Sequence, residues 1–404
     1  MTTPLLSFIV LSYNYQGYIG QTVRSVLEQT VQDFEIVVVD DGSTDASCEV
    51  VTGFGDPRIR LLVNEQNLGG AASYNRAVSA ARGEWLVNLD ADDWIAPQKS
   101  AAQLDMVARD PRLDVIGTHV AFVDAKGDPH PQREVMEAHT NHKHDLNHLD
   151  NWIGRNSLCR SSTMVRRAAH LRIGLDDTTM VRAPDYELWT RALRHGCRFS
   201  VVPEALTFYR LHARGVTYGD PRGTFLELAY AMLHNLVPLA EARALWPSFS
   251  RILAWVSEHE QLAHLTPGER YRLLGSGLMP PKVPGYAGFV AALQAEDDCN
   301  PIADAGRRCL ALMRAHPLRA SLDRLEADNL AFVAGRDWWH EQSDRWRADR
   351  AYWHERAAVF EARTTEQQQA LDLLQTRLDD AQRRLRWTPA GMARAALSRF
   401  FPSW

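Results

Sequence analysis

The sequence predicts an α/β protein: a doubly wound sheet near the N-terminus, a helical region after it, and a long C-terminal helix. Three observations carry that expectation. Short apolar runs rich in Val and Ile recur at residues 5–13, 34–39, 59–63 and 85–89. Segments of helical periodicity separate them at a spacing of roughly 30 residues, the strand–helix alternation of an α/β sheet. Each run ends in a polar cluster: Asn14, then DDGSTD from Asp40, NEQNLGG from Asn64 and DADD from Asp90.

Taken in order, the four runs are short and continuously apolar, as parallel strands buried on both faces are. After the first, Ile19, Val23, Val26 and Leu27 share one helical face. Before the fourth, Ala71, Ala77, Val78 and Ala81 do the same, with Gly83 placed as the C-cap. Ligands of such sheets bind beyond the C-terminal strand ends, where every polar cluster falls. Between 112 and 210 the pattern is mixed. LDVIGTHVAFVD reads as a strand or hairpin arm, and HTNHKHDLNHL (139–149) as a polar loop. PDYELWTRALRHG (184–196) reads as an amphipathic helix, with Leu188, Ala192 and Leu193 inward and Gly196 as its stop. RFSVVPEALTFYRLH is strand-like.

With 404 residues and roughly 150 per domain, two or three domains are expected. The net charge of -5 is small for this length and does not point to nucleic acid. The five cysteines (Cys48, Cys159, Cys197, Cys299, Cys309) are scattered and form no CxxC pair, which favours free thiols in a reducing compartment. The first residues lack a basic segment and a small-residue cleavage site and read as a strand. No run approaches ~18 apolar residues, so no transmembrane helix is expected.

From 221 to 335 the pattern is helical, interrupted by LMPPKVPGYAG (278–288). Residues 336–386 lack Pro and Gly, and Trp339, Trp346, Trp353 and Phe360 recur every seventh residue. Leu371, Leu374, Leu378, Ala381 and Leu385 continue the frame. A helix here is about 75 Å long at ~1.5 Å per residue. It forms either a coiled-coil stalk that makes homo-oligomers or a helix lying on its own chain. The tail (387–404) continues a segment with five Arg and no acid between 383 and 399, flanked by Trp387, Phe400, Phe401 and Trp404. Such a segment suits peripheral contact of 383–404 with an anionic membrane, or docking on a protein surface.

The strand-end clusters carry the chemistry. In DADDW, Asp90 and Asp92 are placed to hold a hard divalent ion, Mg²⁺ or Mn²⁺, whose other positions go to water or phosphate. The alternative is a turn, with Asp93 capping a helix near Ala96. Asp40 and Asp41 can accept hydrogen bonds from a base or a ribose, or can serve a turn. Asn67, Gly69 and Gly70 precede a helix N-terminus, which favours phosphate. Asp185 and Glu187 open the helix at 184, where acids are welcome for dipole reasons alone. His139, His142, His144 and His148 read as a mobile acceptor-side loop rather than a metal site.

In this order and spacing, FIVLSYNYQGYIGQTVRSVLEQTVQDFEIVVVDDGSTD, NLGGAASYNRAVSAARGEWLVNLDADDW and PDYELWTRAL resemble the family 2 glycosyltransferases of the GT-A fold, over residues 5–215. The resemblance implies a mixed doubly wound sheet (1–220) and inverting transfer of a sugar from a nucleotide-diphosphate donor. By position it places Ser12, Asn14, Asp40, Asp41, Asn67, Gly69, Asn75, Asp90, Arg210 and His212 around the donor. It gives Asp92 to a Mn²⁺ or Mg²⁺ ion and makes Asp185 the catalytic base. Asp185 was expected near the ordinary aspartate pKa of about 3.9, ionised at neutral pH. Two positions depart from the family pattern. Tyr74 stands where Arg is usual ahead of Asn75, and Pro184 replaces the Glu before Asp185. The implied acceptor is a glycan or lipid-linked glycan of surface polysaccharide assembly, which sets the expected place of action in the cytoplasm, at the inner membrane face. The rival reading is a non-catalytic assembly protein carrying a degenerate transferase domain on a coiled coil.

Overall fold

The computed structural model describes residues 3–141, 145–212, 220–277, 283–295 and 301–307. The chain divides into two compact units, Met1–His316 and Pro317–Trp404, and the described residues all lie in the first. The heptad segment 336–386, the tail, His142, His144, Cys299 and Cys309 lie outside the described residues.

The sheet is mixed, with eight strands: β1 (Leu6–Ser12), β2 (Phe34–Asp40), β3 (Ile59–Val63), β4 (Trp85–Asp90), β5 (Trp94–Ile95), β6 (Val115–Val123), β7 (Met164–Arg166) and β8 (Phe199–Arg210). Their order is β3-β2-β1-β4-β7-β6-β8-β5. The first four strands pair in parallel around β1, while β7 runs antiparallel to both β4 and β6. Strand-to-helix alternation thus builds the parallel half, and β7 turns the sheet into a mixed one.

Side chains alternate across the sheet, as a period of two requires. Phe8, Val10, Ile36 and Val38 face one core with Ile19, Val23 and Val26 of helix α1 (Ile19–Leu27). Ile9, Val37 and Val39 face the other, with Tyr74, Ala77 and Val78 of helix α3 (Gly70–Ala80). Short helix α2 (Ser47–Thr52) follows β2, and α4 (Lys99–Arg109) follows β5. Helices α5 (Arg133–Thr140), α6 (Arg167–Ile173) and α7 (Pro184–Arg194) complete this part. Leu188, Ala192 and Leu193 of α7 are buried, and Gly196 follows in the left-handed region at φ 76°.

Helices α8 (Pro221–Ala231), α9 (Val237–Ala242), α10 (Trp246–Glu258), α11 (Pro267–Ser276) and α12 (Gly285–Gln294) add their apolar side chains to the same core as α3 and α7. Between α8 and α9 the backbone takes one π-helical stretch, Met232–Leu236. Pro238 lies just beyond it. Proline has no N–H for an α-helical bond, and the widened turn accommodates that loss without ending the helix.

Four details differ from the sequence expectation. β3 is an edge strand with only β2 as neighbour, so its residues are half-exposed and Val63 is 50% exposed. Gly83 does not cap α3, which ends at Ala80 with Ala81 extended. Its backbone runs against β1 instead: a Cβ would lie 2.6 Å from Leu6 C and Ser7 N. Asp93 caps no helix, because β5 follows it and α4 begins at Lys99 behind Gln98. The segment 139–149 is not all loop: α5 runs to Thr140, and Leu146 and Leu149 are buried in the core. β8 is one long strand, and its register against β6 slips where Pro203 and Glu204 pair with nothing, as a residue without an N–H imposes.

Candidate active site

The pairing of β1 with its neighbours sets the site. Ser12 stands opposite Asp40 on β2, and Leu11 opposite Asp90 on β4. Strands that end in register bring their terminal carboxylates to one edge. Beyond Ser12 the chain turns through Asn14, which adopts φ 57°. The Asn14 N–H donates to Ser43 Oγ at 2.8 Å, and its Oδ1 accepts from the Thr44 N–H at 2.8 Å. The post-β1 loop is thereby laced to the post-β2 loop.

Asp40 is buried and accepts from Ser43 twice, from N–H at 2.8 Å and from Oγ at 2.6 Å. Ser12 Oγ is buried beside this strand end with no hydrogen-bond partner. Asp41 works on the protein itself. Its Oδ1 accepts from Asn64 Nδ2 (2.7 Å) and the Leu68 N–H (2.9 Å), and its Oδ2 from the Gly69 N–H (2.9 Å). Asn67 Oδ1 also accepts from the Gly69 N–H, at 3.0 Å. Gly69, at φ 88°, then opens α3. Asn75 is occupied as well: its amide exchanges two 2.9 Å bonds with the backbone of Asp176, tying α3 to the segment before α7.

The DADD turn holds three carboxylates. Asp90 is pushed up to about 6 by burial and by Asp92, with Asp185 adding to the rise; Arg160 and the Ser161 hydroxyl oppose it. Asp93 is raised well above the ordinary range by burial, Asp92 and Asp90. Its Oδ1 accepts from the Arg210 N–H at 2.8 Å, while Oδ2 is buried without a partner. Asp92 Oδ2 lies 2.8 Å from His212 Nε2, and the His212 ring stacks on Tyr18 and meets Tyr15 edge-on.

Arg210 is buried, and its donors are largely taken up by the protein. Nε donates to the Asp92 carbonyl (2.7 Å), NH1 to that of Ala125 (3.0 Å) and NH2 to Gln21 Oε1 (2.7 Å), with the guanidinium over Tyr18 and Trp94. In this arrangement Arg210 holds the Asp92 turn in place rather than reaching toward a diphosphate.

Asp185 sits in the first turn of α7, with Pro184 at the first helical position, where a missing N–H costs nothing. Its Oδ2 accepts from Asn156 Nδ2 at 2.7 Å and its Oδ1 from the Tyr186 N–H at 2.9 Å. Burial raises its pKa, against the lowering effects of Arg160 and the Asn156 bond. It therefore does not keep the ordinary aspartate value expected from sequence. Its charge acts on Asp90, and both carboxylates act on the Cys159 thiol, so the two share one electrostatic environment.

Sequence reasoning missed Arg160, Ser161, Asn156 and Tyr15. Arg160 pairs with buried Asp176 at 2.6 Å and stacks on Tyr74, and burial and the nearby carboxylates Asp176 and Asp185 bear on its charge. The aromatic departure at position 74 thus carries a guanidinium on its face. Only the run of polar residues in NSLCRSST signalled this segment, and it has no periodicity to read.

Among the described residues no group of three or more His, Cys, Asp and Glu is arranged to hold a metal ion alone, and no helix is long and apolar enough to cross a membrane. The described cysteines, Cys48, Cys159 and Cys197, are free thiols.

Comparison with known proteins agrees with this geometry. Residues 7–174 match the model of Glycosyl transferase family 2. An uncharacterized glycosyltransferase of Methanocaldococcus jannaschii is 28% identical over 218 residues, 53% of this chain and 73% of that one. The succinoglycan biosynthesis protein ExoO of Rhizobium meliloti is 35% identical over 118 residues, 29% of this chain and 32% of that one. The chain thus spans most of the first relative but about a third of the second. The crystal structure of S. aureus TarS 1-349 in complex with UDP aligns with TM-score 0.50 and 18% identity, over 76% of this chain and 91% of that one. The mixed sheet with its flanking helices is of the GT-A type, and residues 7–174 of it resemble a glycosyl transferase family 2 domain.

Proposed function

We propose that the protein is an inverting glycosyltransferase that moves a sugar from a nucleotide-diphosphate donor to an acceptor hydroxyl. The observation that carries this reading is the shared electrostatic environment of Asp185 and Asp90, which lie far apart in the sequence. Ser12, Asp40 and the backbone around Asn14 and Ser43 form the nucleoside end. Asp90 and Asp92 form the diphosphate end.

Inversion needs one in-line displacement. Asp185 takes the proton of the acceptor hydroxyl as that oxygen bonds to the anomeric carbon. The bond from that carbon to the diphosphate breaks, and its electron pair leaves on the diphosphate oxygen. A carboxylate raised by burial is a stronger base than a free one, and Arg160 and the Asn156 bond limit that rise.

The DADD turn fits a divalent ion, Mn²⁺ or Mg²⁺. Asp92 raises the pKa of both Asp90 and Asp93, and one Asp93 carboxylate oxygen is buried without a hydrogen-bond partner, so a cation at this turn would favour their ionised forms. Asp92 would hold the ion, with most other positions filled by diphosphate oxygens and water. When bound, the ion neutralises charge on the departing diphosphate.

The relation to a succinoglycan biosynthesis protein supports a role in cell-surface polysaccharide assembly, with a glycan or lipid-linked glycan as acceptor. Work on such acceptors belongs at the inner face of the cytoplasmic membrane. Tyr74, one of the departures behind the scaffold alternative, packs its ring against the Arg160 guanidinium.

The test is nucleotide release from UDP-, GDP- and dTDP-sugars with Mn²⁺ or Mg²⁺, in the presence of lipid-linked glycan acceptors. The expected result is metal-stimulated release from one donor class, with the product of opposite anomeric configuration by NMR. Retained configuration overturns the inverting mechanism, and no release with any pair favours the scaffold.

A further inference from the structure

Glu227 belongs to α8, outside the segment matched by the family, and is buried. Its carboxylate accepts three consecutive backbone N–H groups. Oε1 takes that of Val181 at 2.9 Å, and Oε2 takes those of Arg182 (2.8 Å) and Ala183 (2.6 Å). These are the last three residues before α7. The N-cap residue of α7 is Ala183, which offers no side-chain acceptor. The amides leading into this helix start are therefore held by a carboxylate from another helix, near the positive end of the α7 dipole.

The same neighbour fixes the next turn. Asn235, in the π-helical stretch after α8, donates to Glu187 Oε1 (3.2 Å) and Thr190 Oγ1 (3.1 Å) on α7. Asp185 lies between these two attachments. Among the described residues its own side chain is steadied by Asn156 and by the Tyr186 N–H of its own helix. The direction in which its carboxylate leaves the backbone thus depends on how residues 181–183 are held.

We infer that Glu227 is a positioning residue for the catalytic base: by gripping the three amides before α7 it sets the Asp185 carboxylate where the acceptor hydroxyl must lie. The inference rests on the reading of Asp185 as that base. It gives the helical region a direct part in transfer and explains how a helix start with Pro184 in place of an acid still presents its base in one orientation. A displacement of about 1 Å at a reacting group is enough to cost a large factor in rate.

The experiment uses the full chain and whichever donor of the nucleotide-sugar panel the wild type turns over. It compares Glu227→Gln, Glu227→Asp, Asp185→Asn and the double variant Asp185→Asn/Glu227→Gln. Glu227→Gln keeps the shape but turns an amide toward N–H donors. The expected result is a kcat at least tenfold lower with donor KM, and affinity for the released nucleoside diphosphate, within twofold. Glu227→Asp is expected to recover part of the loss, and the double variant to be no slower than Asp185→Asn alone, as for residues that act through one another. A Glu227→Gln protein with wild-type kcat and only a lower melting temperature overturns the inference, as does a double variant whose losses multiply. If Glu227→Gln does not fold, wild-type kcat in Glu227→Asp overturns it. Wild-type turnover in Asp185→Asn, or no turnover by the wild type on any donor, removes the underlying reading instead.

Discussion

The guanidinium of Arg160 lies 4.1 Å from the centre of the Tyr74 ring and 2.6 Å from Asp176 Oδ2. One face of the cation is covered by an aromatic ring and one edge is neutralised by a carboxylate that is itself buried. Asp90 and Asp185 feel the same positive charge. Arg160 therefore compensates three acids at once.

Removing it should be expensive. Arg160→Met keeps the volume and deletes the charge, leaving Asp176 buried and unpaired. Breaking a buried pair from one side costs about 3–5 kcal/mol. Urea unfolding at neutral pH checks this, and a loss below about 1 kcal/mol, the range of exposed pairs, would mean that solvent rather than Arg160 stabilises Asp176.

Asn156 donates to Asp185 Oδ2 and favours its ionised form. Asn156→Ala removes that bond, so the pKa of the base rises further. Activity requires the ionised carboxylate and is lost as pH falls through that pKa. The acid limb of the kcat/KM profile should therefore move to higher pH, with little change at alkaline pH. An acid limb that stays in place would separate Asn156 from the base.

Glu35 on β2 shows the opposite titration. Burial pushes it upward, but Arg82, Ser7 and Arg60 more than offset this, and its pKa falls below the usual value. It accepts from Ser7 Oγ (2.8 Å), the Arg82 N–H (2.7 Å) and Arg60 NH1 (3.0 Å). A carboxylate lowered in the folded state contributes stability that is present above its unfolded pKa and lost as pH falls through the folded value. Glu35→Gln should remove this dependence. Denaturant midpoints from neutral pH to about pH 3, below the ordinary Glu value of ~4.3, should fall less steeply in the variant than in the wild type.

The extent to which the fold can be read from sequence follows from these cases. The parallel half of the sheet was readable because Val-rich runs ending in Asn14, Asp40 and Asp90 carry both the strand and its terminus. The place of Asp185 in the first turn of α7 was readable because the segment from Pro184 has an amphipathic helical pattern. Arg160 and Asn156 lie in a segment without periodicity, and they reach Tyr74 and Asp185 only through tertiary packing. Glu227 is an acid inside a helical pattern, where a charge ordinarily marks the solvent face; burial among backbone donors of another element leaves no local trace. Gly83 carried a local signal with two meanings, a helix stop or a close approach, and packing on β1 decided for the second.

That close approach makes a simple test. Gly83→Ala puts a Cβ 2.6 Å from the backbone of Leu6 and Ser7, where no flexible side chain can give way. The Gly83 N–H also donates to Ser7 Oγ at 2.8 Å. Overpacking of this kind costs about 1–3 kcal/mol, so the melting temperature should fall clearly. An unchanged melting temperature would be the outcome for a glycine that merely ends a helix.

The most direct test of the central claim is nucleotide release by Asp185→Asn beside the wild type, with nucleoside diphosphate binding measured on both by calorimetry. The account predicts a fall in kcat of about 10²–10⁴-fold, the usual contribution of a positioned base, at unchanged nucleotide affinity. Turnover near the wild-type rate in Asp185→Asn would contradict it.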